Sequence, residues 1–111
     1  MLRIEEKAIQ ITRGDSTRFS IVLENRDVKD GTAAIFAVKK KPWRHDAPVI
    51  RKEIETTDGK VHVMLTPDET DIPAGNYVWD VRIREMDEEG LEVFTPMEYA
   101  RFGVVEAMSD E

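Results

Sequence analysis

Two histidines and a few clustered carboxylates are the residues of this 111-residue chain best suited to chemistry. Nucleophilic catalysis needs a nucleophile, a base and a group that orients the base. His45 lies in a basic stretch and His62 on the polar phase of an alternating run, and neither belongs to a recognisable motif. Asp87-Glu88-Glu89 falls at a turn, where water solvates each carboxylate and no burial raises a pKa. The chain has no cysteine, which excludes disulfides, thiolate metal sites and cysteine nucleophiles together. The sequence predicts a non-catalytic protein without a cofactor.

Asp68, Glu69 and Asp71 offer oxygens of the kind Ca²⁺ takes six to eight of, but the EF-hand spacing is missing. No histidine–carboxylate pattern points to zinc. Thr66-Pro67-Asp68-Glu69 explains two of these acids without a metal: a capping hydroxyl, proline at the first helical position and a carboxylate at the third. Arg13-Gly14-Asp15 matches an integrin-binding tripeptide, yet it lies where a turn must join two strands, and glycine supplies that bend. No metal site and no adhesion site is predicted.

The most distinctive stretch is Lys39-Lys40-Lys41-Pro42-Trp43-Arg44-His45. Cations beside an aromatic ring suit phosphate contacts and base stacking. The chain as a whole opposes that use, because 16 basic against 23 acidic residues leave a net charge of −7. Nucleic-acid recognition needs a basic face rather than one loop. Tryptophan and arginine are instead enriched in protein interfaces, so Lys39, Lys40, Lys41, Trp43 and Arg44 are the candidate partner contact. Residues 39–52 hold six cations and one anion, a local +5, so the remainder carries −12. A segment of that charge suits an acidic neighbour, such as Asp68, Glu69 and Asp71 or the Asp87–Glu89 turn of another copy. Head-to-tail contacts of that kind close rings or extend filaments.

The elements that must position these residues alternate with period two. Phe19, Ile21 and Leu23 alternate with Arg18, Ser20 and Glu24; Val61, Val63 and Leu65 with His62 and Met64; Tyr77, Trp79, Val81 and Ile83 with Val78, Asp80, Arg82 and Arg84. Each is a strand with one buried and one wet face. Asp30-Gly31, Asp58-Gly59 and Glu89-Gly90 mark turns, Asp-Gly being suited to the primed turns of hairpins. Pro73-Ala74-Gly75 is predicted as a type I turn. Strands are expected near 6–12, 17–24, 33–40, 48–56, 60–66, 76–86 and 91–106, the last interrupted at Pro96. One helical turn beginning at Thr66-Pro67-Asp68-Glu69 is stopped by Pro73. It is followed by Tyr77 opening a long strand, which resembles the tyrosine corner of immunoglobulin-like folds. The predicted architecture is all-β, an antiparallel immunoglobulin-like sandwich of about seven strands in one domain spanning 1–111. Its core covers about 6–106, with both ends fraying. Trp79 is in phase with the core, leaving Trp43 and Phe94 as candidate exposed aromatics. No apolar run suits a signal peptide or a membrane span, so synthesis in the bacterial cytoplasm is expected, with neither membrane nor nucleic acid as partner.

Taken in order, Ile11-Thr12-Arg13-Gly14-Asp15-Ser16-Thr17, Ala34-Ile35-Phe36-Ala37-Val38-Lys39, Leu65-Thr66-Pro67-Asp68-Glu69-Thr70 and Pro73-Ala74-Gly75-Asn76-Tyr77-Val78-Trp79-Asp80-Val81 form a pattern over most of residues 9–104. It resembles the immunoglobulin-like N-terminal domain of phage baseplate upper proteins and related small tail or prophage proteins. The resemblance implies a virion structural component that packs on copies of itself or on neighbouring tail proteins. It brings no catalytic residues, and the chain ends soon after the sandwich, without a receptor-binding or coiled-coil extension. The alternative expectation is a protein- or glycan-binding sandwich module outside any virion.

Overall fold

The structure, a computed structural model, describes residues 3–5, 7–23, 28–43, 45–87, 90–94 and 99–107. In chain order these form β1 (Arg3–Glu5), β2 (Ala8–Thr12), β3 (Thr17–Val22), β4 (Ala33–Lys39), β5 (Ile50–Glu55), β6 (Lys60–Leu65), α1 (Pro67–Thr70), β7 (Gly75–Asp87), β8 (Gly90–Phe94) and β9 (Ala100–Val105). The larger sheet runs β1-β2-β9-β7-β4-β5, and β8 also pairs with β7. The smaller sheet is β3 against β6. The chain is all-β, in two sheets with one short helix.

Alternation places the core between them. Phe19, Val61, Val63 and Leu65 of the smaller sheet and Phe36, Val38, Trp79, Val81, Ile83 and Phe102 of the larger belong to one buried cluster. The ring of Phe19 meets that of Phe36 edge-on at 5.6 Å between centroids, so the two sheets touch directly. Phe36 also lies 5.6 Å from Trp79 and 6.4 Å from Phe102. As its phase in the sequence requires, Trp79 is buried, and its indole N–H donates to the Lys7 carbonyl at 2.9 Å.

Two features depart from the sequence expectations, and a third concerns the strand expected to be interrupted. Arg3–Glu5, expected to fray, pairs antiparallel with β2, and Lys7 turns the chain between them at φ 71°. β2 pairs with β9 in parallel, so the sheet is not wholly antiparallel. A parallel pair needs a long crossover, here everything between β2 and β9, and no local pattern reports it. The expected strand 91–106 is two strands on the same side of β7: Ile83 faces Phe94 and Trp79 faces Ala100. Three residues separate those positions on β7 and five on the returning side, so β8 and β9 do not continue one regular ladder. Pro96 itself lies outside the described residues, as do Glu24, Glu88 and Glu89.

The Asp58-Gly59 turn follows its chemistry. Asp58 and Gly59 both take positive φ, 52° and 69°, and Thr57 and Lys60 exchange backbone hydrogen bonds of 3.0 and 2.9 Å. This is the type I′ geometry that Asp-Gly favours. Beyond it the strands part, β5 into the larger sheet and β6 into the smaller. The two Asp-Gly turns are stitched together, because the Asp58 N–H donates to Asp30 Oδ1 at 2.9 Å. α1 has the complete capping box: the Glu69 N–H donates to Thr66 Oγ1, and the Thr66 N–H donates to Glu69 Oε1. At Pro73 the chain bends into β7, where the Tyr77 hydroxyl donates back to the Pro73 carbonyl at 2.6 Å.

Candidate functional site

β4 and β7 are locked side by side by core-facing pairs such as Phe36–Val81 and Val38–Trp79. That pairing brings the end of β4 against the beginning of β7, and β9 starts on the other side of β7 at the same level. Lys39 faces Val78, and Val78 faces Arg101, so one row across three strands holds two cations around a valine. Opposite residues of neighbouring strands point to the same side. Trp79 points into the core, so this row points away from it.

The chain leaves β4 through Lys40, Lys41 and Pro42. These residues, with Asn76, Tyr77, Val78, Tyr99, Ala100 and Arg101, line an open groove of about 390 Å³. Arg101 Nη2 donates to Asn76 Oδ1 at 2.9 Å, which fixes the guanidinium along one wall. A smaller recess beside it is lined by Ala37, Lys39, Pro42, Trp79, Asp80 and Tyr99. Lys39 Nζ donates to the Trp43 carbonyl at 3.4 Å, and the Asp46 N–H closes a turn onto the same carbonyl. The Trp43 ring is 64% exposed and Tyr99 is 58% exposed.

Of the residues singled out from sequence, Lys39, Lys40, Lys41 and Trp43 thus share one end of the larger sheet, and Arg44 lies outside the described residues. Tyr99 and Arg101 join them, and sequence reading missed both. Arg101 is recognisable only once the β7–β9 register is known. Tyr99 sits just ahead of a strand whose start alternation alone does not locate. The side chain of Phe94 lies outside what the structure describes.

The +5 segment does not act as one patch. Arg51 and Lys52 are carried away on β5, where they take opposite faces. Lys52, on the core-facing side of this edge strand, binds Glu69 of α1 at 3.0 Å. Burial pushes the Glu69 carboxyl up, but the Thr66 N–H and the Lys52 ammonium outweigh it and hold the pKa below the usual carboxylate value. An inward charge on an edge strand also discourages another strand from pairing there.

Asp71 is occupied as well. Arg13 Nε donates to Asp71 Oδ1 at 2.8 Å and Arg13 Nη1 to Glu106 Oε1 at 2.9 Å. By accepting these bonds, Glu106 first and then Asp71 raise the guanidinium pKa above its ordinary value. Of the acids named as an example of a counter-surface, Glu69 and Asp71 are each bound to a cation of their own chain. The Arg13-Gly14-Asp15 tripeptide forms the turn predicted for it, with the Asp15 N–H on the Thr12 carbonyl at 3.1 Å and Gly14 at φ 81°.

One pairing resembles catalytic machinery. Ser20 Oγ and His62 Nδ1 are 2.7 Å apart on the outer face of the smaller sheet. Their strands place them directly opposite, so the pairing follows from register. Among the described residues no third side chain orients the imidazole. The surrounding surface of Arg18, Phe19, Val63 and Met64 is open to solvent and carries no cluster of donors for an oxyanion. Among the described residues, no three His, Asp or Glu side chains converge on a point where a metal would sit. No family model, curated protein or solved structure matches this chain.

Proposed function

We propose that the chain is a non-catalytic, immunoglobulin-like docking module, a structural component of a phage or prophage tail. In this reading it presents the Lys39–Trp43 end of its larger sheet to an acidic protein neighbour. The observation that carries the docking surface is the exposed Tyr99 with Lys40, Lys41 and Arg101 around one open groove, and the exposed Trp43 directly after Pro42 of its wall. Interface anchors are rich in tryptophan, tyrosine and arginine, and a cationic surround steers acidic partners by long-range attraction.

The immunoglobulin-like reading draws support from strand order. In such folds the second and fifth strands share one sheet, while the third, sixth and seventh share the other. Setting the short β1 aside and counting β8 with β9 as the seventh, β3 and β6 occupy the former places and β4, β7 and the β8–β9 pair the latter. The bond from Tyr77 to the Pro73 carbonyl, at the corner where α1 hands over to β7, has the form of a tyrosine corner. The virion reading rests on the motif order from Ile11 to Val81 noted above.

Two experiments test the reading. Particles induced from a lysogen carrying the gene and purified on a density gradient contain the chain if the tail assignment holds; intact particles lacking it overturn that assignment. Within the particle, Trp43→Ala with Tyr99→Ala is expected to abolish incorporation while the isolated protein stays folded; undiminished incorporation overturns the docking surface. A glycan ligand is the second reading, favoured by aromatic rings beside an open groove. A glycan array bound by the wild type and not by Tyr99→Ala would select it.

A further inference from the structure

A second surface, which adjoins that end at Ala37 and Asp80, carries a charge pattern complementary to itself. On β4 the core-facing residues are Ala34, Phe36 and Val38, so Ala33, Ile35 and Ala37 face outward. Register sets their neighbours. Ala33 lies between Arg84 of β7 and Glu55 of β5, Ile35 between Arg82 and Glu53, and Ala37 between Asp80 and Arg51. Two small side chains and an isoleucine only 8% exposed therefore form a low central stripe. It is flanked on one side by Arg84, Arg82 and Asp80, and on the other by Glu55, Glu53 and Arg51. Every sign on one flank is opposed on the other. The flanking strands are about 10 Å apart, two strand spacings. Among the described residues none of the six has an ion-pair partner in its own chain.

We propose that this face is an isologous interface, and that its occupant is a second copy of the chain related by a two-fold axis running along β4. Such an axis keeps each row at its own level and exchanges the two flanks. Arg84 then lies over Glu55 of the other copy, Arg82 over its Glu53 and Asp80 over its Arg51. Each contact occurs twice, with Ala33, Ile35 and Ala37 stacked on their equivalents. The alternative in-plane axis, perpendicular to the strands, sets Arg82 against Arg82 and Glu53 against Glu53. The charge pattern therefore selects the axis direction as well as the partner. Facing sheets pack about 10 Å apart with strands nearly aligned, and the small β4 residues permit that approach. Two arginines and an acid facing two acids and an arginine give the surface no net charge, so this face adds no repulsion to that of the two −7 chains. This inference does not depend on the Lys39–Trp43 end and survives its failure.

Sedimentation equilibrium of the intact chain tests it. The wild type is expected to dimerise at low salt and to dissociate as salt rises. Arg82→Glu and Glu53→Arg each place like charges in contact twice per dimer, and each is expected to weaken dimerisation about tenfold or more. An equimolar mixture of these two single variants restores opposite charges at both positions and is expected to form a heterodimer. The double variant Arg82→Glu with Glu53→Arg is expected to dimerise as the wild type does. Circular dichroism checks that each variant is folded, and the mixture answers even where the double variant does not fold. A folded wild type that stays monomeric at about 1 mM and low salt overturns the proposal. So do single variants that dimerise undiminished, or a mixture that remains monomeric. None of these substitutions touches Lys39–Trp43, so loss of docking and loss of the dimer are separable.

Discussion

Phe36→Ala is the substitution that most directly probes the contact between the sheets. Phe36 is 0% exposed, and its ring meets Phe19 and Trp79 at 5.6 Å and Phe102 at 6.4 Å. Truncating a buried phenylalanine costs about 3–5 kcal/mol, from lost transfer energy and the cavity left behind. Aromatic pairs add about 0.5–1.5 kcal/mol each beyond their area, so three such neighbours put the expected cost near the top of that range, about 4–5 kcal/mol. Small domains hold only about 5–15 kcal/mol in total, so the variant should lose from about a quarter to nearly all of its stability. Urea unfolding followed by circular dichroism should show a large fall in midpoint with an unchanged slope, because the surface exposed on unfolding is nearly the same. Met64→Ala, on the outer face of β6 at 49% exposure, is the matched control and should stay within about 0.5 kcal/mol of wild type. A Phe36→Ala cost below about 2 kcal/mol would refute the contact, since a ring closed in by three others cannot leave so cheaply.

Three further substitutions probe single interactions. Tyr77→Phe removes the donor to the Pro73 carbonyl and should cost about 1 kcal/mol in urea unfolding, with no change in strand content. Thr17→Val removes a buried hydroxyl that has no hydrogen-bond partner, and the variant should be as stable as wild type or up to about 1 kcal/mol more so; a loss above about 1 kcal/mol contradicts this. Because folding lowers the Glu69 pKa, its carboxylate stabilises the fold above the ordinary carboxylate value, and that contribution is lost as pH falls through the lowered one. Glu69→Gln should therefore be less stable than wild type at neutral pH, and the gap should close as pH falls below the ordinary carboxylate value and through the lowered one; a gap independent of pH contradicts the Lys52–Glu69 pairing.

Much of this fold can be read from local chemistry. Phase alone puts Tyr77, Trp79, Val81 and Ile83 on one side of β7, and all four are buried. Thr66-Pro67-Asp68-Glu69 specifies its own capping box, and Asp58-Gly59 its own primed turn. Pairing between distant segments escapes such reading. Nothing near Ile9 announces a parallel partner at Phe102, and nothing near Lys39 announces Arg101. The functional surfaces depend on that pairing. The candidate end was half legible, through Lys39–Trp43, and its other half, Tyr99 and Arg101, arrives from the far end of the chain. The +5 segment misled for the same reason. Charge along the sequence does not say that Lys52 turns inward to Glu69 while Arg51 turns outward.

Ring-to-ring nuclear Overhauser contacts between Phe19 and Phe36 test most directly whether two sheets close on one interior. With centroids 5.6 Å apart the rings should give strong cross-peaks between β3 and β4, strands that share no backbone pairing. A well-dispersed spectrum of the folded protein in which those rings show no contact would contradict the core and every surface positioned by it.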